Sequence, residues 1–355
     1  MKKVAFIAIL FFALAILLTA CNTESGKKDS APKKISVVAT IYPQYDWLKN
    51  VIGKRADAVD LKLLIKNGTD LHSYKPSAKD IATIAKADLV VYVGGESDGW
   101  IEKALAATPK EGRIALNLMK ALGDRVKEEE VVEGMQAEEH HHEHGEEAEE
   151  HEHEHHEHDK VPEPAEATSE HHHHEEVEND EHIWLSLVAA KYLLSDITIA
   201  LAKIDTANAE TYWTNASDYS VKLNELDDDY AGALPDREVT ILFGDRFPFR
   251  YLVDDYGIKY YAAFAGCSAE SEASFETVTF LANKMDSLAL PAILTIDGSD
   301  GKIARAILEA SKNSKNAQVL TLNSMQSVTD EQIKAGVDYL SIMRDNLEVL
   351  KKALK

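Results

Sequence analysis

The chain is 355 residues long, 45% hydrophobic and 28% charged, enough for one large domain or two ordinary ones with cores of their own. Its formal net charge of −23 belongs to one segment: 23 acids and a single base, Lys160, stand between Glu128 and Glu181, against 38 acids and 37 bases elsewhere. A near-neutral body with one acidic stretch argues against nucleic acid as a partner, which would need clustered Lys and Arg.

The N-terminus reads as a targeting segment. Lys2 and Lys3 precede a continuous apolar run, Val4 to Leu18, of signal-peptide length and short for a membrane span. It ends in Leu18-Thr19-Ala20-Cys21, which resembles a bacterial lipobox. Residues 1–20 are therefore expected to be a lipoprotein signal peptide, Cys21 the lipidated first mature residue, and residues 21–34 a polar tether. Cys267 is then the one cysteine left to the body of the protein, so no internal disulfide is expected, and it reads as a structural thiol.

From Ile35 the pattern alternates. Strands are expected at Ile35–Ile41, Leu61–Ile65 and Leu89–Val93, and helices at Asp46–Gly53, Ser77–Ala87 and Trp100–Ala107. Ser77 has the chemistry of an N-cap. The pattern breaks at Glu128, where a Glu/His-rich stretch with Pro162 and Pro164 is expected to be a disordered insertion to about residue 180. Order is expected to resume with a helix at Ile183–Ile204, and a second long helix follows from Thr206 to about Leu234. Alternation then restarts: strands at Val239–Phe243, Lys259–Phe264, Ala292–Ile296 and Gln318–Leu322, helices at Phe249–Tyr256, Ser274–Leu288 and Gly301–Ser311, and one helix from Asp330 to the end. This implies an α/β fold: two Rossmann-like lobes, residues 35–204 and 235–355, joined by a long rigid helix at 205–234, with a cleft between them.

Thirteen of the fifteen histidines lie in the acidic insertion: His140, His141, His142, His144, His151, His153, His155, His156, His158, His171, His172, His173 and His174. The other two, His72 and His182, sit at element ends, where an open α/β sheet presents ligands. Asp245 and Asp297 follow strands of the second lobe. Two imidazoles and two carboxylates converging in a cleft suit zinc or manganese. Spacing alone leaves other roles open, with Asp245 paired to Arg246 or Arg250 and Asp297 capping the next helix.

Several stretches together are similar to the solute-binding lipoproteins of bacterial zinc/manganese ABC importers, the cluster A-I or zinc-uptake family. They are Val38-Ala-Thr-Ile-Tyr-Pro43, the DPHxYEP-like loop around His72, Tyr92-Val-Gly-Gly95 with Trp100, and the DPHxWLSP-like segment around His182. The junction Asp205…Asn208…Tyr212…Asn215-Ala216, with Thr206 in place of a Pro, and the turn Gly266-Cys-Ser-Ala-Glu-Ser-Glu272 complete the set. The resemblance covers essentially the whole mature chain. It implies that His72 and His182 are first-lobe metal ligands and that two more ligands come from the second lobe. Many zinc-type members carry a third His after the first strand of that lobe. This chain has Asp245 and Arg246 there, and since Arg cannot ligate a cation, Asp245 is the expected third ligand. Asp297 is the expected fourth, with Asp300 its competitor. Leu71 and Glu181 replace the prolines beside the two histidines.

The resemblance further implies a monomeric, non-enzymic component, anchored outside the cell membrane, that delivers zinc to the permease and ATPase of an importer. Manganese delivery, or metal buffering or adhesion through the tract, are the alternatives. The resemblance's two-His, two-carboxylate ligand count leans towards manganese, while the imidazole density of the insertion favours zinc, which is the expected metal. The tract is expected to be a low-affinity collector that weakens below about pH 6–7, where imidazole takes up protons.

Overall fold

A computed structural model describes residues 34–136, 178–234, 238–268 and 272–354. The signal segment, Cys21, the tether and all thirteen tract histidines lie outside the described residues.

The first lobe is a four-stranded parallel sheet in the order β2-β1-β3-β4, with β1 at Ile35–Ala39, β2 at Val59–Leu63, β3 at Leu89–Tyr92 and β4 at Ile114–Asn117. β1 and β3 are central and covered on both faces, which is why Val37, Val38, Ala39 and the run Leu89–Val91 are fully buried without polar alternation. Helices α1 (Tyr42–Ile52), α2 (Ala78–Lys86), α3 (Trp100–Ala107) and the short α4 (Leu118–Leu122) connect the strands or follow them. Ser77 caps α2 as expected: its Oγ accepts the Asp80 N–H, and Asp80 accepts the Ser77 N–H in return, a reciprocal capping box.

The second lobe repeats the plan. Its parallel sheet runs β6-β5-β7-β8, with β5 at Val239–Phe247, β6 at Ile258–Ala265, β7 at Ala292–Ile296 and β8 at Gln318–Leu322. Helices α7 (Arg250–Tyr256), α8 (Phe275–Leu288) and α9 (Lys302–Ala310) cross over between these strands. The terminal segment expected as one helix is two, α10 (Asp330–Lys334) and α11 (Tyr339–Ala353), separated at Gly336, whose φ of 91° suits only glycine well.

Between the lobes, α5 (Leu187–Ile204) and α6 (Ala209–Ala233) form a helical pair. Ser186 caps α5, and a short 3-10 turn, Ile183–Leu185, precedes it. α6 is about 38 Å long at the usual rise. Its buried residues Tyr212, Ala216, Tyr219, Leu223, Leu226 and Tyr230 recur every three to four positions, one stripe along the helix. The helix ties to both lobes: Asn215 Nδ2 donates to Val51 O at 2.8 Å in the first, and Tyr230 Oη to Met343 O at 2.6 Å in the second. α11 adds a further tie, since the buried Tyr339 donates its N–H to Asp46 and its hydroxyl to Trp184 O. One apolar core runs continuously through these contacts, while a smaller one lies under α8 and α9.

The insertion begins later and ends earlier than the sequence suggests. Residues 128–136 and 178–181, assigned to a disordered stretch by composition, have defined partners: Glu128 and Asn179 form an antiparallel bridge, and Gln136 N–H donates to Ala263 O at 3.0 Å.

Candidate metal centre

In both lobes the first strand has its second neighbour on one side and its third on the other, so the chain leaves the C-terminal strand ends on opposite sides of a switch point, where open α/β sheets bind ligands. The loops that leave those ends carry the site. His72 follows β2, in a 3-10 turn whose N-cap, Asp70, accepts the His72 N–H at 2.9 Å. Cys267 follows β6, and Gln326 follows β8. His182 comes from the chain returning to the first lobe and is fully buried at the start of the turn before α5.

The Nε2 atoms of His72 and His182 face each other at 3.1 Å. Each ring is fixed from behind: His72 Nδ1 by Ser97 Oγ at 2.6 Å, and His182 Nδ1 by Asp180 Oδ1 at 2.9 Å. A carboxylate only accepts, so Nδ1 of His182 carries a proton, and Nε2 is the ring atom turned to the site. Asp180 Oδ1 also takes the His182 N–H at 2.8 Å, which locks the ring to its own backbone. Burial pushes the His72 pKa down to about 3, with the neighbouring His182 and Arg246 adding to the fall and Asp70 opposing it, so His72 is neutral, the ligand form, at physiological pH.

Among the described residues, one group of three or more His, Cys, Asp or Glu has ligand atoms all within 4.8 Å of one another: His72, His182 and Cys267. Burial raises the thiol's pKa far above its usual range, reinforced by Asp180, Glu129 and Glu181. A thiol in such a place is inert unless a cation stabilises its thiolate. Its approach depends on Gly266: a Cβ there would lie 2.9 Å from Phe247 O and 3.0 Å from His182 Cε1. Gln326 closes the fourth side, its amide nitrogen 3.1 Å from His182 Nε2. Glu181 Oε1 accepts the Ser97 N–H at 2.8 Å, but its buried Oε2 has no hydrogen-bond partner among the described residues. Two facing imidazole nitrogens with a buried thiol beside them are a donor set that zinc takes.

The two expected second-lobe carboxylates do not join this group. Asp297 accepts from Ser324 N at 2.5 Å, from Ser324 Oγ at 2.7 Å, from Ser327 N at 3.2 Å and from Ser327 Oγ, so both its oxygens clamp the loop that carries Gln326. Asp245 accepts the Arg246 N–H at 2.9 Å and lines a neighbouring cleft with Asp70, Asp297 and Asp300. Arg246 itself reaches across the lobes to Asp70 at 2.6 Å. Cys267 and Gln326, which the fold brings beside the histidine pair, were not among the expected site residues. The sequence signal for Cys267 was the matching turn at Gly266-Cys267, and Gln326 had none, since residues so far apart in the chain share no spacing.

Residues 37–353 match the sequence profile of the family described as zinc-uptake complex component A, periplasmic (ZnuA). The chain belongs to this family. It is 32% identical to the zinc-binding lipoprotein AdcA of Streptococcus pneumoniae, over 99% of this chain and 61% of that protein. It thus spans about three fifths of the AdcA relatives it matches. It is 29% identical to the high-affinity zinc uptake system protein ZnuA of Bacillus subtilis, over 96% of this chain and 95% of that one. The Zn(II)-bound ZnuA-like domain of Streptococcus pneumoniae AdcA superposes with a TM-score of 0.64 at 27% identity, covering 91% of this chain and 99% of that domain. The two-lobed ZnuA-type architecture, with its linking helix, is therefore this chain's fold.

Proposed function

We propose that this protein captures zinc outside the cytoplasmic membrane and delivers it to the permease and ATPase of an ABC importer. The observation that carries this reading is the facing Nε2 pair of His72 and His182 with the Cys267 thiol beside them. His72, His182 and Cys267 are the ligands in this reading, and a half-turn of the Gln326 amide presents Oε1 as the fourth. Asp297 serves the site by holding the Gln326 loop, and Asp245 by shaping the adjacent cleft. Two imidazoles, a thiolate and one oxygen form a borderline-soft set that suits zinc and disfavours manganese, which prefers carboxylate and water oxygens. The names of the AdcA and ZnuA relatives agree with this choice.

Cys21 anchors the mature chain to the membrane by lipid, residues 21–34 tether it, and the protein acts as a monomer without catalysing a reaction. The thirteen tract histidines act as a weak collector of zinc, supplying imidazoles beside many glutamates. Calorimetric titration of zinc into the full chain and three variants tests the proposal. His72→Ala and His182→Ala should each abolish one tight site, while deletion of residues 137–177 should spare it. Loss of all tight binding on tract deletion would instead make the tract the functional part.

A further inference from the structure

The segment Lys127–Gln136 leaves the first lobe and runs along the second as a strap. Lys127 donates its N–H to Tyr251 Oη at 3.0 Å and its ammonium pairs with Asp254 at 2.6 Å. Glu130 meets Arg250 at 3.2 Å and accepts from Tyr260 Oη at 2.9 Å. Glu133 pairs with Lys284 at 3.0 Å. Gln136 completes the run on the free edge of β6: its N–H goes to Ala263 O, and its side chain accepts the Ser274 N–H at 2.7 Å. These partners all belong to the second lobe.

The same strap is paired with the chain returning towards His182. Glu129 N–H donates to Glu178 O at 2.8 Å, and Asp180 N–H donates to Lys127 O at 2.9 Å. Tyr251 Oη donates in turn to Asp180 O at 2.8 Å, which seats this short ladder on the second lobe. Glu129 is the residue common to both relations. Its backbone is tied to Glu178, four positions before His182, and its Oε1 accepts the Cys267 N–H at 3.0 Å. One residue thus links the segment that delivers the His182 imidazole to the loop that delivers the thiol.

We propose that Glu129 is a positioning residue for the metal centre, fixing the separation between Cys267 and His182. This rests on the reading of Cys267 as a ligand. A glutamate that only fastened the strap would resemble Glu133, whose exposed ion pair with Lys284 contributes little. Glu129 differs because its acceptor oxygen meets the backbone of a ligand, and partners of that kind set ligand orientation and alter metal affinity by about 10–100-fold. Glu129→Ala frees the Cys267 N–H and lets the thiol drift from the imidazole pair. Glu129→Gln keeps an acceptor oxygen at the same reach.

The test uses the full chain and Glu129→Ala, Glu129→Gln, Glu133→Ala and Cys267→Ser variants. Each is loaded with one equivalent of Co²⁺ and read for thiolate-to-cobalt charge-transfer absorbance. Each zinc-loaded form is then mixed with excess EDTA to give the release rate, and each metal-free form is melted. Cys267→Ser should lose the absorbance. Glu129→Ala should weaken or shift it and release zinc about tenfold faster, while Glu129→Gln and Glu133→Ala stay close to the parent. If Glu129→Ala keeps the parental spectrum and release rate while Cys267→Ser loses the absorbance, the positioning role is wrong and the ligand reading stands. If Glu129→Ala and Glu133→Ala speed release equally, with equal falls in melting temperature, Glu129 is only a fastener and the proposal fails. Retention of the absorbance in Cys267→Ser removes the ligand reading and this inference with it.

Discussion

Replacing Asp297 separates two roles that one carboxylate can play at such a site. As a metal ligand it would leave the metal-free protein almost unaffected when removed. As the clamp on the 324–327 loop it is part of the fold. Asp297→Ala removes the acceptor of two backbone N–H groups and two hydroxyls, and Ser324 is fully buried, so its N–H meets no water. The hydroxyls can turn elsewhere, and Ser324 Oγ already has Gln326 Oε1 within 3.1 Å. The backbone groups cannot, and hydrogen bonds to a charged acceptor are worth about 1.5–3 kcal/mol each. The clamp also holds buried Met325 in a left-handed conformation, φ 63°, which costs about 1 kcal/mol or more. Allowing for relaxation, Asp297→Ala should destabilise the metal-free protein by about 2–4 kcal/mol, a fall in melting temperature of roughly 5 °C or more. Zinc affinity should fall less steeply, through the displaced Gln326. Thermal unfolding of the chelator-treated variant, beside a competition titration for zinc, measures both. An unchanged melting temperature with zinc affinity lowered a hundredfold or more would refute the clamp and make Asp297 a direct ligand.

Two further outcomes rest on other residues. Asp180→Ala takes the acceptor from His182 Nδ1 and should cost about 10–100-fold in zinc affinity, measured by chelator competition; an unchanged affinity would mean the ring is oriented by packing alone. Asp46, on α1, is buried against the start of α11, and burial, aided by Asp338 and opposed by the Tyr339 N–H, pushes its carboxyl from 3.8 up to about 6. The folded state therefore holds that proton more tightly than the unfolded state. The contribution is fully present below about pH 4 and lost as pH rises through 6. Relative to the parent, Asp46→Asn should gain about 3 kcal/mol of stability between pH 4 and pH 7.5, and urea unfolding at the two pH values would show no such gain if the site were not desolvated.

The fold was legible where burial dictates composition. Ala292–Ile296 and Gln318–Leu322 are strands and Trp100–Ala107 a helix at the bounds expected from the sequence. Strand β4 was not legible, because Ile114–Asn117 is short and only half-buried and lacks the apolar run of a central strand. The strap was misread for a related reason. Its charges looked like part of a solvated tract, yet Lys127, Glu130 and Glu133 each have a second-lobe partner, and Val132 and Met135 pack against the core. At the site, His72 and His182 stood out by their isolation from the tract. Cys267 did not, because its chemistry depends on a fold that brings β6 against the His182 turn. Asp245 and Asp297 were plausible as acids at strand ends, and that position is also where acids clamp loops, as Asp297 does with Ser324 and Ser327.

The central claim is a zinc centre built on His72, His182 and a Cys267 thiolate. X-ray absorption at the zinc K-edge, on the chain lacking residues 137–177 and loaded with one equivalent, tests it most directly. The account predicts one sulfur at about 2.3 Å and nitrogen or oxygen neighbours at about 2.0–2.2 Å. A first shell of nitrogen and oxygen alone, with no sulfur, would contradict it.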